Sequence, residues 1–215
     1  LHVVEAVLNN TSKHCLFAPS DVELARSSIE MVKNASERPD VSTKPPATFQ
    51  VSPTSPLKWG KNAIETLMET ASAGLPLAIL TSPIAGMTAP ITLAGVLLLQ
   101  NVEALAGLVV AQLLRPGTHV VCGAVPTVLD MRESTAVTAT PEGAIMKIAS
   151  AQVAKYYGLP TLAAYSSSAH VLDEQTGWEK ASTALATYLG GADLLNNAGM
   201  FSTGTIVSYE QLVID

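Results

Sequence analysis

Cysteine is scarce. The 215 residues hold two, Cys15 and Cys122, far apart and beside no other ligand type at metal spacing. A disulfide framework and a CxxC zinc site are therefore excluded, and two buried thiols in a reducing cytoplasm are expected. Charge is sparse as well: 14% of residues are Asp, Glu, Lys or Arg, the net charge is -6, and Lys and Arg never cluster. That argues against nucleic acid or an anionic membrane as the main partner. The opening stretch LHVVEAVLNNTSKH lacks the basic region and continuous apolar segment of a signal peptide.

What the chain does have is apolar bulk. With 48% hydrophobic residues and a mean hydropathy of +0.32, it is too apolar to be disordered. The same values suit an α/β protein whose parallel strands are covered on both faces. The longest apolar run, Ile91 to Leu114, is long enough to cross a bilayer. Gln100, Asn101 and Glu103 stand near its middle, however, and one central charge costs roughly 3 kcal/mol on insertion scales. Pro90 before it suits a first helical turn. The run is expected to be a buried helix, following the strand LAILT and the loop SPIAGMTAP. Its apolar outer surface could meet another subunit, so a homo-oligomer is allowed.

One rhythm repeats along the chain: a short apolar run, then small and polar residues, then a helical pattern. The strand candidates are HCLFAPS at 14–20, ATFQVSP at 47–53, LAILTSP at 77–83, HVVCGAV at 119–125, PTLAAYS at 160–166 and DLLNNAG at 193–199. Helices are expected to start after Ser20, near Gly60, at Pro90, at Pro141, near Asp173 and around Ser208. Ser20 with Glu23 reads as a capping box, and Thr140-Pro141-Glu142 as an N-cap, a first-turn proline and a favourable acid. Gly74, Gly117, Gly158 and Gly190-Gly191 stand where helices should stop.

Uninterrupted βα units imply a parallel sheet, either a barrel or a doubly wound sheet. No strand candidate ends in GxGxxG or GxxxxGKS/T, the phosphate loops expected of a doubly wound nucleotide-binding fold. The expected fold class is therefore α/β, a TIM (β/α)8-type barrel with about six βα units visible. The expected organisation is one barrel domain over 1–215, a portion of a longer protein.

In a barrel, chemistry collects where strands end and helices begin. That geometry selects Gln50 and Ser52; Thr81, Ser82 and Met87; Cys122; Asp130 and Arg132; Tyr165 to Ser168 with His170; and Asn196, Asn197 and Phe201. His170 could shuttle a proton or orient a carboxylate, or it could be a polar residue leading into the next helix. Asp130 and Arg132 share a long loop, where they could hold a zwitterion or merely order the loop as an exposed pair. Asn196 and Asn197 could bind substrate oxygens or satisfy the barrel mouth. The SSS stretch has no Gly-x-Ser-x-Gly elbow, which weakens a serine hydrolase. An aldolase would want a lysine at a strand end, and no strand candidate ends in one. Tyr156, Tyr157, Trp59 and Trp178 read as packing residues.

Several blocks resemble the trimethylamine methyltransferase superfamily: AGMTAPITLAGVLLLQNVEALAGLVVAQLLRPG, DMRES with PEGA, AKYYGLPT, GWEKA and SYEQLVID. They run from about Lys44 to the C-terminus in the family's order; the resemblance before Lys44 is weak. It implies a TIM barrel that moves a methyl group from a methylated amine to the cobalt of a separate corrinoid protein. The corrinoid (cobalamin) would then come from that partner, with no cofactor bound directly. Founding members carry pyrrolysine after YYGLP, whereas this chain has ordinary residues there, TLAAYSSSAHVLD. The resemblance thus points to the non-pyrrolysine branch, which includes glycine betaine methyltransferases. The family's usual Gly-rich run is replaced here by Ala163 to His170, and the family protein is about twice as long.

On that reading His170 and Asp130 are the catalytic candidates. Tyr165, Ser166, Ser168, Arg132, Asn196, Asn197, Phe201 and Met87 are the substrate-binding candidates, and no metal is expected. A methylammonium group favours aromatic faces, for which Tyr165 and Phe201 are available. A betaine carboxylate would want Arg132, His170 or Asn197. A non-catalytic relative that binds a methylamine or a partner protein is the alternative.

Overall fold

The computed structural model describes residues 1–36 and 45–215; Lys44, where the resemblance begins, lies outside them. In chain order the elements open with α1 (His2–Asn10), β1 (Cys15–Phe17), α2 (Val22–Ala35), β2 (Ala47–Val51), α3 (Lys61–Ser72) and β3 (Leu77–Thr81). Next come β4 (Ile84–Ala85), α4 (Leu93–Leu114), β5 (Val120–Ala124), β6 (Thr127–Asp130), β7 (Thr135–Val137) and α5 (Pro141–Tyr156). The chain continues through β8 (Thr161–Ala164), α6 (Glu174–Leu189), β9 (Leu194–Asn196), β10 (Met200–Phe201), β11 (Ile206–Val207) and α7 (Tyr209–Ile214). All six strand candidates are strands of one six-stranded sheet, in the order β1-β2-β3-β5-β8-β9. The pairings β1–β2, β2–β3, β5–β8 and β8–β9 are parallel. Each strand lies beside its predecessor, with no reversal of the kind that marks a doubly wound sheet. The α/β class and the parallel sheet are as expected.

The chain divides into two compact units. One comprises Leu1–Thr54, Lys58–Leu80 and Ala104–Val121; the other comprises Ser55–Leu57, Thr81–Glu103 and Cys122–Asp215. In the first, Phe17, Ile29, Val32, Phe49 and Leu75 form one buried cluster, and Leu67, Ala71, Leu77, Ile79 and Ala111 another. Fully burying each large apolar side chain contributes about 1.5–3 kcal/mol. The second unit has a smaller cluster around Ala85, Val96 and Met146. There polar residues carry much of the packing, with Thr176, Lys180, Thr183 and Thr187 all buried along α6.

Several local expectations are corrected. Asp21, not Ser20, caps α2: its carboxylate accepts from the Leu24 amide at 2.8 Å, and Ser20 donates to Asp21. A carboxylate beside a helix N-terminus outcompetes a neighbouring hydroxyl for those amides. Helix α4 starts at Leu93 rather than Pro90, because the preceding residues are held in a turn where the Met87, Thr88 and Ala89 amides converge on the Ile84 carbonyl. Nor is α4 a buried helix. It is long and apolar enough to cross a membrane, yet only 22% of its apolar window is buried. Gln100 and Glu103 are buried while Leu98, Val102, Val109 and Leu113 are exposed. Glu103 is satisfied locally, accepting from Ser55 and the Leu57 amide, whereas Gln100 Oε1 is buried with no hydrogen-bond partner among the described residues.

Tyr156 and Trp178 are exposed rather than packed, at 87% and 77%, because the inward face of each helix is filled by smaller side chains. Trp59 does pack, against the cluster containing Leu67 and Ile79. Both cysteines are free, Cys15 buried and Cys122 half-buried. Burial pushes both thiols up, that of Cys122 to about 11, which leaves them protonated and unreactive at neutral pH.

Candidate functional site

In the second unit, the ends of β8 and β9 gather seven of the ten catalytic and substrate-binding candidates: Tyr165, Ser166, Ser168, His170, Asn196, Asn197 and Phe201. Ala164 stands opposite Asn196 in the register, so Ser166, two residues beyond Ala164, and Asn196 close the same pair. Ser166 Oγ and Asn196 Oδ1 are buried and have no hydrogen-bond partner among the described residues. An unpaired buried polar atom costs about 1–3 kcal/mol, so such atoms mark places where a ligand or water completes the structure.

The loop carrying Ser166 to His170 is fixed from α6. The Glu179 carboxylate accepts from Ser167 Oγ at 2.8 Å, the Ser168 amide at 2.7 Å and the Ala169 amide at 3.4 Å. Burial opposes ionisation of Glu179, but these bonds and one from Gln175 hold its carboxyl below the usual range. Thr183 brackets Ser166 from below, accepting from its amide and donating to its carbonyl. Ser168 is also spoken for, since its Oγ accepts from the Thr138 amide at 3.1 Å.

His170 is exposed, and its Nδ1 meets Ser202 Oγ at 2.8 Å. Two backbone bonds join this loop to the segment after β10: Ser202 donates to the Ala169 carbonyl and Thr203 to the Ser167 carbonyl. Ser202 and Thr203 hold φ of 51° and 54°, and Asn197 holds 75°. Three non-glycine residues in the left-handed region so close together mark stored backbone strain of the kind found at ligand sites. Phe201, 5% exposed, lies beside them.

Tyr165 is placed differently from expectation. Lys180 Nζ lies 4.8 Å from its ring centroid, so the protein's own ammonium takes that aromatic face. Lys180 is paired with Asp215 at 2.5 Å, both side chains being nearly inaccessible at 3% and 4%. It also donates to the Asn197 and Met200 carbonyls, while Asp215 accepts from the Gly199 amide and Gln211. Burial and the Asp215 carboxylate push the Tyr165 phenol to about 12. This network clamps the turn between β9 and β10.

The other catalytic and substrate-binding candidates, Asp130, Arg132 and Met87, lie elsewhere in the unit, while Gln50 and Ser52 belong to the first unit. Asp130 and Arg132 sit on a β6–β7 hairpin, not in a loop, and β4 pairs with β6. Asp130 Oδ1 accepts from the Arg132 and Glu133 amides, capping that hairpin turn. Arg132 is exposed, and Met87 is 65% exposed on the turn after β4. Neither belongs to the β8–β9 cluster. Among the described residues no group of three His, Cys, Asp or Glu could hold a metal ion. Sequence reasoning gave no role to Glu179, Lys180, Gln211, Asp215 or Ser202. A signal existed for the first four, which lie inside the blocks GWEKA and SYEQLVID.

A parallel sheet wound in one direction, with polar loops gathered beyond its strand ends, defines an α/β protein of the strand-end-site class. The chain belongs to the trimethylamine methyltransferase family, whose model matches residues 1–215. The match therefore extends over the N-terminal part, where the quoted motifs are absent. The chain is 36% identical over 219 residues to the trimethylamine methyltransferase of Methanosarcina barkeri, covering 100% of this chain and 44% of that protein. It is 34% identical to the trimethylamine methyltransferase of Desulfitobacterium hafniense strain DCB-2, again over 100% of this chain and 44% of the relative. It is 33% identical to the glycine betaine methyltransferase of Desulfitobacterium hafniense strain Y51, over 100% of this chain and 46% of the relative. The chain thus spans rather less than half the length of these relatives.

Proposed function

We propose that this chain forms part of a methyltransferase that takes a methyl group from a methylated, quaternary amine such as a betaine, with the cobalt of a partner protein's corrinoid as acceptor. The observation that carries the site is the pair of unpartnered polar atoms, Ser166 Oγ and Asn196 Oδ1, in a strand-end cluster that includes His170. Kinship to trimethylamine and glycine betaine methyltransferases supports the reaction class.

The chemistry asks little acid or base of the protein. When a methyl group leaves a quaternary ammonium, the C–N bond breaks with its electron pair on nitrogen, and a neutral tertiary amine departs without needing a proton. Reduced cobalt supplies the nucleophile; positioning is the protein's task. In this reading Asn196 and Ser166 hold the polar end of the amine substrate. Ser202 holds the His170 ring so that its Nε2 is free for a substrate carboxylate. Phe201 remains the aromatic candidate for the methylammonium, because Lys180 occupies the face of Tyr165. The corrinoid partner docks at the C-terminal ends of the strands, and a closed eight-stranded barrel is completed by chain beyond these residues.

The test is methyl transfer by the chain extended to the relatives' length, mixed with a reduced corrinoid protein and glycine betaine, proline betaine, carnitine or trimethylamine. Formation of methyl-cobalt with one of them, lost in Asn196→Leu, supports the reading. Binding without transfer in a folded, full-length protein would favour a non-catalytic binder.

A further inference from the structure

Glu179 fixes the Ser166 to His170 loop from α6, and a second hold comes from β7. The Thr138 amide, just beyond β7, donates to Ser168 Oγ at 3.1 Å, and the two hydroxyls lie 3.4 Å apart. Within β7, the Ala136 carbonyl accepts from Thr203 Oγ1 at 3.4 Å. The end of β7 therefore carries both parts of the candidate site, the loop after β8 and the strained segment after β10.

That end of β7 is itself held by a lysine. Lys147 in α5 is 0% exposed, and its Nζ donates to the Thr138 carbonyl at 3.3 Å. The two backbone polar groups of Thr138 thus bear the lysine on one and Ser168 on the other. Thr127, opposite Thr138 in the continued β6–β7 register, adds no side-chain hold, since its buried hydroxyl has no partner among the described residues. The helix comes close here. A Cβ on Gly143, one turn before Lys147, would stand 3.1 Å from the same carbonyl, so glycine leaves that oxygen open to the amine.

A lysine is almost never fully buried unless it is paired. Among the described residues, Lys147 joins no ion pair. An apolar side chain of similar length would fill the same space without the cost of burying an amine. What only the lysine provides is the bond to Thr138.

We propose that Lys147 is a positioning residue of the candidate substrate site: through Thr138 it sets the place of Ser168, and with it the loop that presents Ser166 and His170. It touches no substrate. The consequence for substrate binding rests on the function proposed above; the consequence for the loop does not.

The experiment compares the parent, Lys147→Met and Lys147→Arg in the chain extended to the relatives' length, at pH 7. It reads thermal unfolding, calorimetric titration with glycine betaine, and hydrogen–deuterium exchange of peptides covering 136–140 and 166–170. Lys147→Met removes the bond and keeps most of the volume. Exchange in both peptides should quicken about tenfold, because the local opening they report becomes easier. Affinity for glycine betaine should fall about tenfold, the effect of losing one hydrogen bond that orders the site. The melting temperature should hold or rise, whereas a residue that merely supported the core would lose stability and affinity together. Lys147→Arg keeps a donor for Thr138 and should restore slow exchange and most of the affinity. Unchanged exchange in Lys147→Met would overturn the proposal, as would faster exchange with undiminished affinity. A parent that binds no betaine, with exchange still quickened in Lys147→Met, would count against the function proposed above while supporting the positioning of the loop.

Discussion

Lys147 is fully buried in α5, and among the described residues its Nζ donates only to the Thr138 carbonyl, at 3.3 Å. Burial lowers its amine from 10.5 to about 8. The folded pKa is below the unfolded one, so the cost of charging Lys147 is fully present below pH 8 and disappears as pH rises towards 10.5. Lys147→Met should therefore stabilise the fold at pH 7, by about 3 kcal/mol on the scale of 1.4 kcal/mol per pKa unit. Urea denaturation at pH 7 and pH 10 checks this, with the gain expected to shrink at the higher pH. Lys180 differs in that it is paired with Asp215. Lys180→Met strands Asp215 and should cost about 3–5 kcal/mol, whereas the double variant Lys180→Met/Asp215→Leu should recover part of the loss. Thermal unfolding of the two variants separates an ion pair from simple packing.

At the level of elements, caps decide where helices begin. Thr140 accepts from the Gly143 amide at 3.0 Å, and Thr140→Ala should cost about 1 kcal/mol in denaturant unfolding. For α2, Asp21→Ala should lower the unfolding midpoint and Ser20→Ala should leave it nearly unchanged; the reverse result would restore the hydroxyl cap. The six sheet strands were legible because β-branched and apolar runs such as LAILT and HVVCGAV are bounded by Pro, Gly and Ser. Glycines also marked helix ends faithfully, with Gly74, Gly117 and Gly158 at positive φ. The small strands β4, β6, β7, β10 and β11 were not legible. Two to four residues carry no alternation to detect, and their pairing is set by tertiary contacts. Part of the candidate site was readable, since Ser166 and His170 follow β8 and Asn196 ends β9. Its clamp was not, because periodicity does not show that Lys180 turns inward towards residue 215.

Across the whole molecule, the order of the sheet matters most. Six parallel-sheet strands laid down in sequence leave β1 and β9 as edge strands, each able to accept another strand. The relatives compared with this chain are more than twice as long, the chain spanning 44–46% of them. The relatives act on trimethylamine and on glycine betaine by name, and identities of 36% and 33% do not choose between them. In the function proposed above, the choice falls to the β8–β9 cluster. Calorimetric titration of the folded chain with glycine betaine, alongside Asn196→Leu and His170→Ala, therefore addresses the central claim. Saturable binding in the parent chain, lost in Asn196→Leu and weakened in His170→Ala, is the expected result. Binding that survives both substitutions unchanged would contradict the assignment of the site to the β8–β9 cluster.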